Sequence, residues 1–201
     1  MNISGQQENW FLRRFVRALF FLTVIPLSVY FGTVIVLTSL YKIINPPIST
    51  LMILRRLDGT QIRPQHYLPL RRIPLFARRG IVHLEDPTFW QNSGIDLGAI
   101  RDAYELDRRV GHLVYGGSTI TQQLARTLFL VPNKNYTRKA LEIGTALLMT
   151  AILGKYRILE LYLNSIEWGP GIFGINAGSL YWYRTDVRDL DADHIARLEA
   201  I

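Results

Sequence analysis

The sequence predicts a mostly α-helical domain that follows one N-terminal transmembrane helix. Three observations support this fold class. Residues 18–41 carry no charged side chain over 24 positions. From Leu68 onward apolar residues recur at helical spacing, and no convincing segment alternates between apolar and polar residues as a strand does. Apolar residues make up 49% of the 201-residue chain, which excludes a disordered protein.

The uncharged run at residues 18–41 is predicted to be a membrane anchor. As an α-helix it would be roughly 36 Å long, enough to cross a hydrocarbon core of about 30 Å. Three arginines lie in residues 1–17, whereas only Lys42 follows the run closely, so the positive-inside rule places the N-terminus in the cytoplasm. A cleaved signal peptide is the alternative, but its apolar core would be shorter. We therefore favour an uncleaved, single-pass anchor.

The rest of the chain divides into a predicted linker at residues 42–67 and a domain at residues 68–201. The linker contains the helix breakers of "INPPIST" and "DGTQIRPQ". Residues 143–154, "IGTALLMTAILG", carry no charge and are too few to span a membrane, so we predict a helix buried on all sides at the centre of the core. The chain stops inside a helical pattern, and we expect the domain to continue past Ile201.

Charge and cysteine content limit the function classes. The net charge of +7 favours an anionic partner: nucleic acid, acidic lipid or a phosphorylated substrate. The chain has no cysteine, which excludes disulfides, thiolate metal sites and a cysteine nucleophile. In "LPLRRIPLFARRGIVHLED" four arginines mix with apolar residues. A surface that lies on anionic headgroups and a solvated basic helix face both fit this pattern, and the sequence leaves both open.

The sequence predicts neither a dinucleotide-binding site nor a histidine metal site. Gly169, Gly171 and Gly174 match G-x-G-x-x-G, but they follow a helical segment instead of a strand and enclose Pro170. This context does not predict a dinucleotide site. The four histidines form no H-E-x-x-H motif and no close pair, so each is interpreted as an ordinary polar or capping residue.

The stretch "YGGSTITQQLARTLFL", residues 115–130, predicts a ligand-binding helix start. Thr119 and Gln122 have the spacing of a capping box, which places the first helical turn there. Gly116 and Gly117 let a ligand approach the backbone, and the free N–H groups of a helix N-terminus suit a phosphate. We therefore predict a diphosphate cradle built from neutral donors.

Carboxylates stand at two further positions that suit chemistry. Glu85 and Asp86 precede Pro87, and the residue before a proline is biased away from helix, so the pair is predicted at a break between elements. By spacing alone this is weak evidence for acid–base catalysis. Arg138 and Lys139 stand four and three residues before Glu142, so both cations can reach its carboxylate on a helix.

Four segments in order resemble the motifs of one family. They are "EDPTFWQNSG" (85–94), "GGSTITQQ" (116–123), "RKALE" (138–142) and "KYRILELYLN" (155–164). Together they resemble the family 51 peptidoglycan glycosyltransferases, and the single anchor makes the chain most similar to the monofunctional members. The resemblance covers about residues 68–201 and implies a lysozyme-like helical fold.

The resemblance also implies the reaction and its setting. Family members polymerise lipid II into glycan strands: the growing chain is transferred from its undecaprenyl diphosphate to the sugar hydroxyl of incoming lipid II. The expected location is the bacterial cytoplasmic membrane, with the catalytic domain periplasmic or extracytoplasmic and residues 95–115 forming a mobile, partly membrane-facing lobe. The expected partners are lipid II, nascent glycan, the bilayer and other cell-wall synthases; nucleic acid is not expected, because the charges form no recognisable binding motif.

Residue roles carry over from the motifs. Glu85 would be the general base for the attacking hydroxyl. Glu142 matches the family's second important glutamate, which would orient the cations, hold a divalent ion (Mg²⁺ or Mn²⁺) or assist the leaving group; a structural salt bridge with Arg138 is the alternative. No organic cofactor is expected, and Glu160 and Asn164 are interpreted as mainly structural. The expected substrate-binding residues are Asp86, Phe89, Asn92, Gly116, Gly117, Ser118, Thr119, Thr121, Gln122, Gln123, Arg126, Arg138 and Lys139.

Four positions depart from the family pattern. Asn92 replaces a histidine, Arg126 replaces the more common lysine, Asp102 stands where family members carry a basic residue, and Thr127 replaces the more common asparagine. The departures at Asn92 and Asp102 motivate a second hypothesis, a catalytically weak protein that binds lipid II or acts as a scaffold for wall synthesis. A third hypothesis, a hydrolase that cuts glycan, is disfavoured because a hydrolase has no use for a diphosphate cradle.

Overall fold

Helices account for most of the chain over residues 3–111, 117–133 and 135–199, which are the residues that this computed structural model describes. Within those ranges there are nine α-helices, two short 3₁₀ turns and no strand, so the predicted mostly α fold is confirmed. The chain divides into two compact units, Met1–Leu37 and Thr38–Ile201. The α-helices are α1 (Ile3–Tyr41), α2 (Thr50–Leu57), α3 (Leu75–Glu85), α4 (Leu97–Val110), α5 (Ile120–Phe129), α6 (Tyr136–Leu153), α7 (Lys155–Ser165), α8 (Ile175–Tyr183) and α9 (Ala192–Glu199).

Helix α1 contains the residues that were predicted to form a membrane anchor. Its segment Phe20–Tyr41 is long and apolar enough to cross a membrane. Pro26 lies inside this segment, and membrane helices tolerate a proline at such a position. The helix begins at Ile3, so the predicted cytoplasmic tail at residues 1–17 is helical from that residue onward.

The predicted linker at residues 42–67 contains helix α2 and belongs to the folded second unit. Ser49 caps α2 by accepting a hydrogen bond from the Met52 backbone N–H at 3.1 Å. The Thr50 hydroxyl donates to the Leu128 carbonyl on α5 at 2.8 Å, and Met52 is buried. The packed domain therefore starts before residue 68.

Helix α5 forms the centre of the second unit and packs against α2, α6 and α7. Its predicted inward stripe is confirmed, since Ile120, Leu124 and Leu128 are all buried. The prediction that residues 143–154 are buried on all sides is wrong. In α6 one face is buried, whereas Leu147 on another face is 39% exposed. The absence of charge in a helix does not require burial, because apolar atoms make up much of any protein surface.

Helix α7 anchors the segment that leads into α3. The Asn164 side chain accepts a hydrogen bond from the Leu68 N–H at 2.8 Å and donates to the Leu68 carbonyl at 2.9 Å. Glu160 accepts from the Leu70 N–H at 2.6 Å. These contacts agree with the structural interpretation of both residues, and they fix the start of α3, whose last residue is Glu85.

The glycine-rich loop at residues 169–174 packs against residues 61–63, which precede helix α3. The Arg63 N–H donates to the Gly171 carbonyl at 3.0 Å, and a Cβ at Gly171 would collide with the Gln61 carbonyl. Arg55 of α2 binds the Glu167 carboxylate through two nitrogens, at 3.0 and 2.7 Å. Close backbone approach therefore explains the glycine at 171.

Candidate active site

Glu85 is the last residue of α3, where its exposed side chain borders a pocket of roughly 140 Å³. The helix stops there because Pro87 follows Asp86 and disfavours helical backbone in the residue before it. The break presents the carboxylate of Glu85 at the end of a rigid element. The pocket is lined by Ile81, Leu84, Glu85, Gln123, Tyr162, Ile166, Glu167, Trp168 and Leu198.

A relay of two hydrogen bonds orients the Glu85 carboxylate. Gln123 on α5 donates from Nε2 to Glu85 Oε2 at 2.7 Å. Tyr162 on α7 donates its hydroxyl to Gln123 Oε1 at 3.0 Å, which turns the NH₂ end of the amide toward Glu85. Gln123 was predicted as a site residue from its motif, whereas Tyr162 was not, because its only signal in the sequence is its position in the fourth motif.

Asp86 joins the first motif to the start of α5. It is 4% exposed, and its Oδ2 accepts from the Ile120 N–H at 3.1 Å. Its Oδ1 accepts from Asn92 Nδ2 at 2.9 Å and from the Thr88 hydroxyl at 3.2 Å. Burial raises the pKa of Asp86, and the hydrogen bonds from Asn92 and Ile120 oppose that rise. Its carboxylate oxygens are thus occupied by the protein itself.

Asn92 cross-links the first motif to the fourth. Its Nδ2 donates to Asp86 and to Thr88 Oγ1, and its Oδ1 accepts from the Gly94 N–H at 2.9 Å and from Lys155 Nζ at 2.8 Å. An amide side chain has two donors and two acceptor positions, and all four are filled here. The departure from histidine is therefore accommodated by a satisfied network.

Lys155 is a second residue that sequence reasoning missed. Its ammonium lies 4.6 Å from the centre of the Phe89 ring, and Phe89 is fully buried. Burial lowers the pKa of Lys155, while the charge of Asp86 opposes that shift. Asp86, Phe89 and Asn92 were all expected to bind substrate. In this conformation Asn92 binds Asp86 and Lys155, and Lys155 lies over Phe89, so these residues stabilise the segment that follows Glu85.

The predicted capping box at the start of α5 is confirmed. Thr119 Oγ1 accepts from the Gln122 N–H at 3.1 Å, and Gln122 Oε1 accepts from the Thr119 N–H at 3.0 Å. The Thr119 hydroxyl also donates to the Gly94 carbonyl at 2.6 Å. Thr119, Thr121 and Gln122 are buried and do not line the pocket in this conformation. The side chains of Thr119 and Gln122 stabilise the helix start, whereas Thr121 Oγ1 and Gln122 Nε2 have no hydrogen-bond partner among the described residues.

Among the described residues of the predicted diphosphate cradle, Gly117, Ser118 and Gln123 are half-buried. Gly116 lies outside the described residues. Gly117 has a φ of +81°, and a Cβ there would lie 2.7 Å from the Ala99 carbonyl of α4. Close approach of α4 is thus sufficient to explain this glycine.

Glu142 is fully buried and paired with both predicted cations. Lys139 Nζ lies 2.7 Å from its Oε1, and Arg138 binds its Oε2. Lys139 also donates to the Ser118 hydroxyl at 3.0 Å, which places an ammonium beside the start of α5. The predicted ion pairs are confirmed. Since a cation already occupies each oxygen, the arrangement does not fit a divalent ion at Glu142, and no group of three His, Asp or Glu side chains within the described ranges suits a metal.

Arg126 lies one turn after Gln123 on α5 and is half-buried. No carboxylate among the described residues forms an ion pair with it, so its charge is available to a ligand. Asp102, the third departure, is exposed on α4 beside Arg101, which pairs with Glu105 at 3.1 Å.

Comparison with known proteins decides the family. Residues 52–201 match the family model described as transglycosylase. The chain belongs to the transglycosylase family. The match confirms the family that the four motifs predicted, and with it the glycosyltransferase class. It begins within α2, in agreement with the packing of that helix on α5.

Two relatives are similar to this transglycosylase over about four-fifths of its length. A biosynthetic peptidoglycan transglycosylase from Nitrobacter winogradskyi is 43% identical over 166 residues, which cover 82% of this chain and 72% of the relative. A protein of the same name from Burkholderia vietnamiensis is 41% identical over 169 residues, covering 80% of this chain and 67% of the relative.

Proposed function

We propose that this transglycosylase polymerises lipid II into peptidoglycan glycan strands, with Glu85 as the general base. Family membership supports glycan polymerisation in peptidoglycan synthesis. The observation that carries the finer proposal is the juxtaposition at the start of α5. Gln123 holds the Glu85 carboxylate on one side, and Ser118 holds the Lys139 ammonium five residues earlier in the chain. A base and a cation thus flank one helix N-terminus.

The base acts on the acceptor sugar. Gln123 holds Oε2 of Glu85, and no described residue donates a hydrogen bond to Oε1, which would accept the proton of the acceptor hydroxyl. As that proton moves to Glu85, the hydroxyl oxygen forms a bond to the anomeric carbon of the growing chain. The bond from that carbon to the phosphate oxygen breaks, and the lipid diphosphate leaves with the electron pair. Glu85 then releases its proton to water.

The leaving diphosphate needs cations and N–H donors. Lys139 and Arg138 supply charge beside Ser118, and Arg126 adds a guanidinium with no acidic partner in the described part of the chain. Because Glu142 is fully buried and bound by two cations, we assign it a positioning role: it holds Arg138 and Lys139 where the diphosphate departs. Arg138, Lys139 and Glu142 together carry one net positive charge.

The anchor gives the proposed setting. Helix α1 would hold the N-terminus in the cytoplasm and the catalytic unit outside a bacterial cytoplasmic membrane, where the lipid tail of the substrate stays in the bilayer. Lipid II, nascent glycan and the bilayer are the proposed partners, and other cell-wall synthases are candidates for contact in the same membrane.

The product test separates this function from its alternatives. Detergent-solubilised protein is incubated with labelled lipid II, and the products are resolved on a gel. We expect a ladder of glycan strands that a muramidase degrades, and an unchanged ladder from the surface control Asp189→Asn. A folded protein that binds lipid II without making polymer would be a binding protein, and release of muropeptides from purified sacculi would make it a hydrolase.

A further inference from the structure

Exposed apolar side chains stand among arginines at the N-terminal end of α3. Leu75 and Phe76 are 51% and 41% exposed, although both are large and apolar. Arg71 and Arg72 precede them on the 3₁₀ turn Leu70–Arg72, and Arg79 follows one helical turn later. We call these five residues the arginine–apolar surface. Over the described part of the chain no acidic side chain pairs with its arginines.

The arginine–apolar surface rests on a fixed base. The Leu70 N–H donates to Glu160, and Leu70 and Ile73 are buried beneath the turn. Glu160 is also bound by Arg157 and by the Tyr67 hydroxyl, so this carboxylate is already engaged. The arginines are therefore presented outward by a rigid turn and do not fold back onto their own support.

The composition of this surface selects its partner. A solvated basic helix face needs charge but not two exposed large apolar side chains at its centre. Segments that lie on membranes combine both: apolar side chains enter the headgroup region, and arginines contact lipid phosphates. A single diphosphate would use the cations and leave Leu75 and Phe76 in water. We propose that the arginine–apolar surface docks on the anionic surface of the lipid bilayer.

Docking would set the height of the active site above the membrane. Phe76 and Glu85 lie nine residues apart on one helix, a rise of roughly 14 Å. With Phe76 in the headgroup region, α3 would hold the base at a fixed distance from the lipid phosphates. This consequence rests on the proposed function, because only a lipid-linked substrate needs its base at that height; the docking itself does not.

A fluorescent probe tests the docking directly. The chain has no cysteine, so Phe76→Cys provides a single site for the dye NBD in the full-length protein. The protein is reconstituted in vesicles of phosphatidylcholine alone, or of equal parts phosphatidylcholine and phosphatidylglycerol. We expect a blue shift and quenching by spin-labelled lipid in the anionic vesicles only. The control label is placed at Ala196→Cys, on the exposed surface of α9, and its NBD emission should indicate an aqueous environment in both vesicle types. Equal spectra at position 76 in the two vesicle types would overturn the proposal.

Charge variants test the same proposal without a probe in the surface. Neutralising Arg71, Arg72 and Arg79 to glutamine is expected to lower the ratio of docked to undocked protein by about 100-fold in anionic vesicles, given the usual contribution of a basic residue near an anionic surface. The matched control neutralises three exposed arginines elsewhere, Arg184, Arg188 and Arg197. An equal loss in both variants would mean a general charge effect and would refute a specific surface.

Activity separates this proposal from the proposed function. In detergent, where no bilayer is present, the triple glutamine variant of the surface is expected to polymerise lipid II at the parent rate, whereas Glu85→Gln should be slower by about 10²–10⁴-fold. In anionic vesicles the triple variant should fall well below the parent. Loss of the triple variant's activity in detergent would mean that these arginines bind substrate, and the docking proposal would be wrong even though the glycosyltransferase assignment stood.

Discussion

Replacing Gly94 by alanine should destabilise the loop that carries the first motif. Gly94 has a φ of +103°, a conformation that costs a residue with a Cβ about 1–3 kcal/mol. The added Cβ would lie 2.7 Å from the Ala146 carbonyl and closer still to the Thr150 hydroxyl, both on α6. Overpacking of this kind costs a further 1–3 kcal/mol, so we expect a total loss of about 4 kcal/mol.

Gly59→Ala is the matched control for this substitution. Gly59 also has a positive φ, +81°, but no heavy atom lies within 4 Å of the position of its Cβ. It should therefore lose only the backbone part, about 1–2 kcal/mol. Comparing the two glycines isolates the steric contact with α6.

Thermal unfolding followed by near-UV circular dichroism in detergent gives the readout. At about 2–4 °C per kcal/mol for a chain of this size, the midpoint should fall by about 12 °C for Gly94→Ala and by about 5 °C for Gly59→Ala. Polymerisation should also fall for Gly94→Ala alone, because the Gly94 carbonyl accepts from Thr119 and its N–H donates to Asn92. Equal shifts for the two variants would refute the steric argument.

Three further outcomes are expected. Tyr162→Phe removes the hydrogen bond that orients the Gln123 amide, which can then turn away from Glu85. We expect kcat to fall about 10-fold, the effect of losing one hydrogen bond, with KM little changed. An unchanged kcat would show that the relay plays no part in the mechanism. Glu142→Gln removes the buried anion that two partly exposed cations share and should cost about 2–3 kcal/mol of unfolding free energy in urea. The exposed Glu105→Gln should cost under about 0.5 kcal/mol. Burial raises the pKa of Asp86, so the folded chain binds this proton more readily than the unfolded chain, and the anion costs stability above that pKa. The stability margin of the parent over Asp86→Asn should therefore shrink as the pH rises through the raised pKa in thermal melts; a margin that grows would contradict this sign.

Local contacts in the site followed from the sequence. The Thr119–Gln122 capping box and the pairing of Arg138 and Lys139 with Glu142 depend on residues three or four positions apart, which helix geometry brings together. The contact of Lys155 with Asn92 spans 63 residues, and that of Tyr162 with Gln123 spans 39. Such pairs depend on how helices pack, which spacing along one helix does not encode.

Two elements of the fold also escaped the sequence patterns. Helix α2 is eight residues long and lies between a pair of prolines and a segment that contains a glycine and a proline. These helix-breaking residues on both sides favoured a linker prediction, whereas packing on α5 stabilises the helix. Residues 143–154 lack charge, and that pattern alone does not distinguish a fully buried helix from one with an exposed apolar face, as Leu147 illustrates.

The most direct test of the central claim is the single-turnover rate of glycan bond formation by Glu85→Gln at saturating lipid II, measured beside its dissociation constant for lipid II. Loss of a general base should lower the rate by about 10²–10⁴-fold. Binding should change little, because the amide keeps the shape of the side chain. A rate equal to that of the parent, or a loss explained entirely by weaker binding, would contradict the assignment of Glu85 as the base.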